Sequence, residues 1–440
     1  MSTKKKQNRR QFLKTSAATS LGVFAAPLVV PDSALGLSGT TAPSNRIVMG
    51  AIGTGGQGTH NLRVFLNFPD VQMVAVCDVD TKHKDRARNI VQKKYDNKDC
   101  SAMHDFRELV AKKGIDAVSI CTPDHWHALT SIAAANAGKD IYCEKPLANS
   151  VGEGRAICNA IEKNKQILQT GSHERSNPKC RYACELVRNG RIGKLKTIRI
   201  NLPFTDRHHK QMLAMKKNPP NMPVPEGFDY DFWLGHTPKV PYTEKRCHFW
   251  WRFILSYGGG EMTDRGAHVI DIGQLGAGMD DTGPVEFEAT GSRNAHLMYN
   301  TFTDYSFINR YANGMQMIGA NKGPRGLKFE GTDGWIFVHI HGGKLEASQP
   351  SLLKEKIADN ETHLGRSPGH QRNFIDCVKS RKAPFAKSEI GQRTATICHL
   401  NNIAMLTGRT LKWDPVKEEI IGDAQASKLL TPTMRMPWRL

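Results

Sequence analysis

The chain has 440 residues, 39% hydrophobic and 23% charged, with a formal net charge of +19. That length accommodates two ordinary domains, each with its own core, and the composition excludes a disordered, collagen-like or low-complexity protein. Six of the positive charges are Lys4, Lys5, Lys6, Arg9, Arg10 and Lys14, and no later basic run is interleaved with aromatics, so nucleic acid is not an expected partner.

At the start, Asn8-Arg9-Arg10-Gln11-Phe12-Leu13-Lys14 resembles the twin-arginine export motif. An apolar stretch follows over residues 15–30; at about 16 residues it is shorter than the ~20 that a membrane-spanning helix needs. Small residues at Ala25, Ala26, Ala34 and Gly36 suit cleavage. Residues 1–36 are therefore expected to be a twin-arginine signal peptide. The mature protein is then periplasmic or otherwise exported, lacks a transmembrane anchor, and has folded around its cofactor before export. Ten cysteines would suit a disulfide framework in such a protein. However, Cys77, Cys121 and Cys143 each close an apolar run and read as small hydrophobes, and Cys180 and Cys184 read as packing residues on one helix face. No spacing matches a zinc site, so no metal is expected.

The next elements alternate strand and helix. Residues 47–52 read as a buried strand that runs into Gly53-Thr54-Gly55-Gly56-Gln57-Gly58 and a helical stretch to Asn67. In this G-x-G-x-x-G the glycines serve a tight turn, a close approach of backbone to a pyrophosphate, and helix-to-strand packing. A second strand over 71–77 ends in Asp78, 20 residues beyond Gly58, where a ribose-binding acid belongs. Its carboxylate favours NAD over NADP; Asp80 is the alternative acid, and Lys82 and Lys84 are the features that leave NADP open. Helices over 81–95, 105–113, 127–137 and 151–164 alternate with strands near Ser101 and over 116–121, 140–143 and 166–170. This pattern predicts a doubly wound parallel sheet over residues 45–170. Its strand ends carry two loops, Thr122-Pro123-Asp124-His125-Trp126-His127 and Glu144-Lys145-Pro146, which are expected beside the nicotinamide.

After Gly171 the period changes. Alternating stretches over 196–202, 285–291 and 335–339 predict a second, open and mostly antiparallel sheet in an α/β domain over residues 171–412. Its exposed face suits homo-oligomerisation, and residues 413–440 read as a tail. Residues 203–246, rich in Pro, Lys and His, read as a large loop closing over the active site.

Oxidation of an alcohol by NAD needs a base for the hydroxyl proton and a polar group for the developing alkoxide. His268 is the candidate base. Asp264, four residues earlier, is placed on one helical face to orient it, with Asp271 as a further partner; the same spacing also suits a pair that merely braces a helix. Lys145 is the second candidate, as hydrogen-bond donor or proton carrier, against an ordinary exposed lysine paired with Glu144. Trp250, Trp251 and Tyr257 read equally as residues that stack on a sugar or nicotinamide or as core residues.

Glu144-Lys145-Pro146 after the fifth strand, followed about 120 residues later by Asp264-x-Gly266-x-His268-x-x-Asp271, resembles the paired signature of the Gfo/Idh/MocA family, the glucose-fructose oxidoreductases and inositol dehydrogenases. Asp78, Thr122-Pro123 with His127, Asp231-x-Trp233-Leu234-Gly235, His370-x-x-Asn373-Phe374 and Trp413-Asp414-Pro415 extend the likeness, which runs from about Asn45 to the end. The resemblance implies a Rossmann domain plus a large open sheet, oligomers, NAD or NADP, and sugar or cyclitol substrates. It places catalysis on Lys145, Asp264 and His268, and the cofactor on Gly53, Thr54, Gly55, Gly56, Gln57, Gly58, Asp78, Thr122, Pro123, His127, Glu144 and Lys145. Ser172-His173-Glu174-Arg175 falls where relatives vary and carries no transferable role. An exported enzyme finds no pool of free NAD, so the cofactor is expected to be tightly bound and reset in each cycle. Two other functions fit: a redox-neutral glycosidase or lyase working through a 3-keto sugar, or an NAD-binding protein without turnover.

Overall fold

The computed structural model describes residues 41–440, so the expected signal peptide, residues 1–36, lies outside the described residues. Residues Ile47–Leu440 form one compact unit. It begins with six parallel strands: β1 (Ile47–Ile52), β2 (Val71–Cys77), β3 (Ser101–Met103), β4 (Ala117–Ile120), β5 (Asp140–Cys143) and β6 (Leu168–Thr170), in the order β3-β2-β1-β4-β5-β6. Ala51 lies beside Val76 on one side and Ser119 on the other. These strands are apolar without alternation because helices cover both faces of the sheet. The helices are α1 (Gly56–Leu66), α2 (Thr81–Tyr95), α3 (Phe106–Ala111), α4 (His127–Asn136) and α5 (Val151–Asn164). Short polar side chains start three of them: Asp80 accepts from Lys82 N at 2.8 Å, Asp105 from Arg107 N at 2.8 Å, and Ser150 from Glu153 N at 3.3 Å. Strand order reverses between β1 and β4, which opens a crevice at the carboxyl ends of the strands.

The remainder adds α6 (Pro178–Arg188), α7 (Arg207–Leu213), α8 (Tyr230–Leu234), α9 (Glu261–Asp264), α10 (Gly266–Ala277), α11 (His370–Ser380) and α12 (Ser388–Thr407). It also adds nine strands: β7 (Leu195–Asn201), β8 (Glu286–Ser292), β9 (Asp304–Arg310), β10 (Gln316–Ala320), β11 (Gly326–Gly331), β12 (Trp335–His339), β13 (Leu345–Ala347), β14 (Leu411–Asp414) and β15 (Glu419–Ile421). Their order is β13-β12-β11-β7-β10-β9-β8-β14-β15, and only β7 and β10 pair in parallel. One face packs Ile198, Ile200, Phe287, Phe307, Met317 and Phe329 in one core with residues of α6, α10 and α12. Each large side chain so buried contributes roughly 1.5–3 kcal/mol. The other face alternates to polar residues, with Arg310 bridging Glu286 and Glu288 and Arg199 meeting Glu330. The fold is thus the α/β architecture read from the sequence, a parallel Rossmann sheet followed by a large, mostly antiparallel one.

Two readings change. Residues 203–246 are not an open loop: they contain α7 and α8, and Met212, Phe228, Tyr230, Trp233 and Tyr242 build a core of their own with Trp251, Phe253 and Tyr257. This segment docks on the end of β2, where Thr81 N donates to Gly227 O at 2.9 Å and Asp229 N to Val79 O at 3.0 Å. Residues 413–440 are not a free tail: Trp413 in β14 and Ile420 in β15 are buried, and Trp438 packs edge-on against Trp126, with ring centroids 4.9 Å apart. Helix α11, late in the chain, returns to the first sheet and buries Phe374, Ile375 and Val378 against Phe65 and Tyr142. All ten cysteines are free and nine are buried, among them Cys77, Cys143, Cys180 and Cys184; Cys121, also read as a small hydrophobe, is half-buried. No helix among the described residues is long and apolar enough to cross a membrane.

Candidate active site

A cavity of about 630 Å³ opens at the carboxyl ends of β1, β2, β4 and β5. Gly53, Gly55, Gly56 and Gln57 form one end of it. Gly53 has φ +77°, and a Cβ there would lie 2.7 Å from the Cys121 carbonyl carbon; one on Gly58 would lie 1.9 Å from Gly53 O. These two glycines are required by packing, and neither Gly58 nor Thr54 lines the cavity. Gly56 is different: a Cβ there would meet nothing within 4 Å, so its backbone at the start of α1 is open to a ligand.

Asp78 and Asp80 line the same wall, whereas Lys82 and Lys84 do not. Asp78 Oδ2 accepts from Thr54 N at 2.7 Å and from Thr54 Oγ1 at 3.2 Å, and Oδ1 accepts from Asp80 N at 2.9 Å. The carboxylate therefore ties the glycine turn to β2, and a carboxylate's roughly four lone-pair sites leave room for a hydroxyl donor as well.

From the β4 loop, Thr122, Pro123, Asp124 and His127 reach the cavity. Thr122 Oγ1 is buried with no partner in the protein. His127 lies between two carbonyls, Pro146 O 2.8 Å from Nδ1 and Thr122 O 3.0 Å from Nε2, and so joins the two loops. Burial pushes the Asp124 carboxyl well above its ordinary value, only partly offset by Lys145 and Arg252. His125 turns away, donating from Nε2 to Trp233 O at 2.9 Å, and burial lowers its pKa to about 3.

Lys145 and His268, drawn from distant stretches, line this one cavity together with Asp264. Lys145 Nζ donates to Asp264 O at 2.9 Å and forms an ion pair with the Asp264 carboxylate. Arg252 Nε approaches Asp264 Oδ2 at 3.7 Å. Burial raises the Asp264 pKa, but the charges of Lys145 and Arg252 outweigh it and hold the carboxyl well below the usual carboxylate range. His268 is 3% exposed; burial first, then the Lys145 charge, pushes its pKa well below 6.5 and keeps it neutral.

Several pairings differ from those read from spacing. Asp264 does not orient His268: it closes α9 and is committed to Lys145, while Nδ1 of His268 is buried without a partner. Asp271 serves Arg175, accepting from its Nε at 2.8 and 3.0 Å, and takes a further bond from Thr394 Oγ1 at 3.0 Å. Glu144 is not the partner of the Lys145 ammonium; it accepts from Asn61 Nδ2 at 2.9 Å and Gln57 Nε2 at 3.3 Å, fastening α1 to the β5 loop. Of the aromatics, Trp251 reaches the cavity, whereas Tyr257 is buried in the core and Trp250 stacks on Tyr299. His173, Arg252 and His341 also line the site. No local spacing reveals His173 and His341, because they come from a turn after β6 and from the β12–β13 connection.

Residues 47–172 match a family described as "Oxidoreductase family, NAD-binding Rossmann fold", and residues 177–440 one described as "Oxidoreductase family, C-terminal alpha/beta domain". This chain belongs to the Gfo/Idh/MocA oxidoreductase family. Among its curated relatives are an α-N-acetylgalactosaminidase of Shewanella oneidensis, 31% identical over 209 residues covering 43% of this chain and 44% of that protein, and an inositol 2-dehydrogenase of Rubrobacter xylanophilus, 31% identical over 152 residues covering 34% and 42%. The chain spans less than half the length of these relatives. Similar solved structures include an aldose-aldose oxidoreductase from Caulobacter crescentus (TM-score 0.60, 17% identity, covering 83% of this chain and 99% of that one). Another is the WlbA dehydrogenase of Bordetella pertussis in complex with NADH and UDP-GlcNAcA (TM-score 0.60, 15% identity, covering 84% and 99%). At these identities they establish the shared fold.

The cavity itself suits a dinucleotide of this family. The open backbone of Gly56 at a helix N-terminus would suit a pyrophosphate, the two acids line the wall where ribose hydroxyls would donate, and the buried Thr122 Oγ1 has no partner in the protein.

Proposed function

We propose that this chain is an exported oxidoreductase that acts on a CH–OH group of a sugar, glycoside or polyol and holds NAD tightly. One observation carries the reading: Lys145, with Asp264 as its counterion, and neutral His268 face the same cavity as the open glycine turn. A nicotinamide dinucleotide bound there would supply the hydride acceptor. Lys145 donates a hydrogen bond to the reacting oxygen and stabilises the negative charge that develops on it. His268, neutral and facing the same space, takes the proton at a ring nitrogen. Asp78 and Asp80 favour NAD, because a 2′-phosphate would meet two carboxylates. The docked segment over 203–246 supports tight retention, since it covers the end of β2. Catalysis by Lys145, Asp264 and His268, and cofactor binding by the lining residues named above, are parts of the same proposal.

The test is to identify what copurifies with the protein and then to follow it during turnover. Cofactor reduction in step with ketone formation supports net oxidation; a protein that binds no dinucleotide overturns the reading. A second reading is favoured by the alignment with an α-N-acetylgalactosaminidase. In it, oxidation at carbon 3 acidifies the neighbouring C–H, loss of that proton expels the leaving group, water adds across the resulting double bond, and the hydride returns to carbon 3 of the same sugar. Cleavage of a glycoside with no net change in cofactor oxidation state would select it over net oxidation.

Export is supported by Arg9-Arg10 and the apolar stretch behind them. Replacing both by Lys in the full chain should stop the protein reaching the periplasm; unchanged secretion removes this part. The polar outer face of the nine-stranded sheet is the proposed oligomer contact, and a monomeric mass in light scattering would refute it.

A further inference from the structure

One buried ionisable group in the cavity takes no part in the proposed proton transfer. Asp124 lies in the loop after β4, shortly beyond Ile120, whose neighbour across the sheet is Ile52, the last residue before the glycine turn. It lines the cavity and is only 5% exposed, yet its carboxyl has no hydrogen-bond or ion-pair partner among the described residues. In the same loop the buried Thr122 Oγ1 is also without a partner. The rest of the loop is satisfied: Asp124 O accepts from His127 N, and the His127 ring lies between Pro146 O and Thr122 O. Buried polar groups left open in an otherwise bonded loop call for a partner from outside the protein.

We propose that Asp124 binds the carboxamide of the nicotinamide ring, its carboxyl O–H donating to the carboxamide oxygen while its other oxygen accepts from the carboxamide N–H. A neutral carboxylic acid offers one donor and one acceptor side by side, and a primary carboxamide offers the same two groups in reverse order. A carboxylate would instead set two acceptors against the carboxamide oxygen. The fold supplies the neutral form, because burial pushes the Asp124 carboxyl well above its ordinary value. The charged groups that act on it are Lys145 and Glu144 of the β5 loop, Arg252 of the turn Trp250–Phe253 and Asp264 of α9. Lys145 and Arg252 oppose burial only in part, and Asp264 and Glu144 reinforce it. His127, on the same loop, is held neutral by its own burial.

Place in the sheet selects the cofactor over the sugar as the ligand. A dinucleotide whose pyrophosphate sits at Gly56, beyond the end of β1, passes next to the end of β4, where the strand order reverses. Asp124 stands at that end, whereas Asp264 and His268, assigned to the substrate side, come from α9 and α10. Fixing the carboxamide fixes the rotation of the ring about its bond to the ribose, and with it the face that meets Lys145 and His268. The inference rests on the nicotinamide-dinucleotide reading of the cavity.

The test compares two dinucleotides on full-length protein freed of bound cofactor: NADH, and reduced 3-acetylpyridine adenine dinucleotide, which carries a methyl group in place of the carboxamide NH₂. The wild type should prefer NADH about tenfold, the worth of one hydrogen bond in a buried site. Asp124→Ala should bind NADH more weakly and lose this preference, whereas Asp124→Asn, whose amide also offers a donor and an acceptor, should keep it. Neither variant should melt earlier, because the carboxyl holds no other group of the protein. In infrared difference spectra, the carbonyl stretch of a protonated carboxylic acid should shift when NADH binds and be missing from Asp124→Asn. Absence of that band overturns the pairing, as does a preference for NADH that survives in Asp124→Ala or a wild type that binds the two dinucleotides equally; each of these leaves the cofactor reading intact. A wild type that binds neither dinucleotide overturns the cofactor reading itself, and this inference with it.

Discussion

The pairing of Lys145 with Asp264 means that the candidate hydrogen-bond donor and its counterion meet in one cavity from stretches far apart in the chain. Lys145→Met should therefore lower kcat by about 10²–10³-fold, the usual range for loss of one donor to a developing oxyanion, while NADH still binds with unchanged fluorescence. A variant that retains full activity would remove Lys145 from the chemistry. A second prediction concerns Glu153, away from that chemistry. Burial raises its pKa to about 8 from 4.5, opposed only by the hydrogen bond from Ser150 Oγ at 2.9 Å. The imidazole facing it, His236 at 3.6 Å, is itself held neutral by burial. Below pH 4.5 the carboxyl is protonated in both folded and unfolded chains and costs nothing. As pH rises through the window from 4.5 to about 8, only the unfolded chain ionises, so stability falls, and the loss is complete above the folded value. Glu153→Gln should flatten this decline and stabilise the protein by a few kcal/mol at alkaline pH, read from urea midpoints across the window. An unchanged pH profile would show that Glu153 is ionised in the fold.

Two glycines in one turn separate structural from ligand constraints. Gly58→Ala drives a Cβ onto Gly53 O, a backbone atom that cannot yield, so melting temperature and NADH binding should fall together. Gly56→Ala has free space, so the melting temperature should hold while NADH affinity drops about tenfold or more, because the added methyl occupies the path of the pyrophosphate. Equal effects of the two substitutions on stability would refute this division. The turn was legible because strand, glycines and helix are contiguous and each glycine answers a local demand. The long apolar strands were legible for the same reason, and β3 and β6 were placed by the alternation of strand and helix around them, whereas the three-residue strands β13 and β15 carry too few side chains to show a period. The segment 203–246 escaped because its Pro and Lys content hides aromatics that only meet one another, and Trp251, after the chain has turned back.

The whole molecule joins these pieces around the cofactor end of the first sheet. Asp229 is the fastening of the docked segment: it caps α8 by accepting from Phe232 N at 2.9 Å and meets His104 Nε2 at 2.9 Å. Asp229→Ala should leave the sheets intact but speed NADH release about tenfold, the worth of one or two lost hydrogen bonds, measured by displacement in a stopped-flow instrument. An unchanged release rate would mean that the segment does not retain the cofactor. The sequence by itself determined the two sheet types and the glycine-rich turn, because each is written in local periodicity or in a short contiguous motif, whereas Lys145 and His268 stood out only through the family resemblance. Tertiary structure alone decided which charges pair: Asp264 with Lys145 rather than His268, and Asp271 with Arg175 rather than the active site. It also decided that imidazoles from positions 173, 268 and 341 share one wall. Pairing depends on distances between segments far apart in the chain, and spacing along the chain carries no information about them.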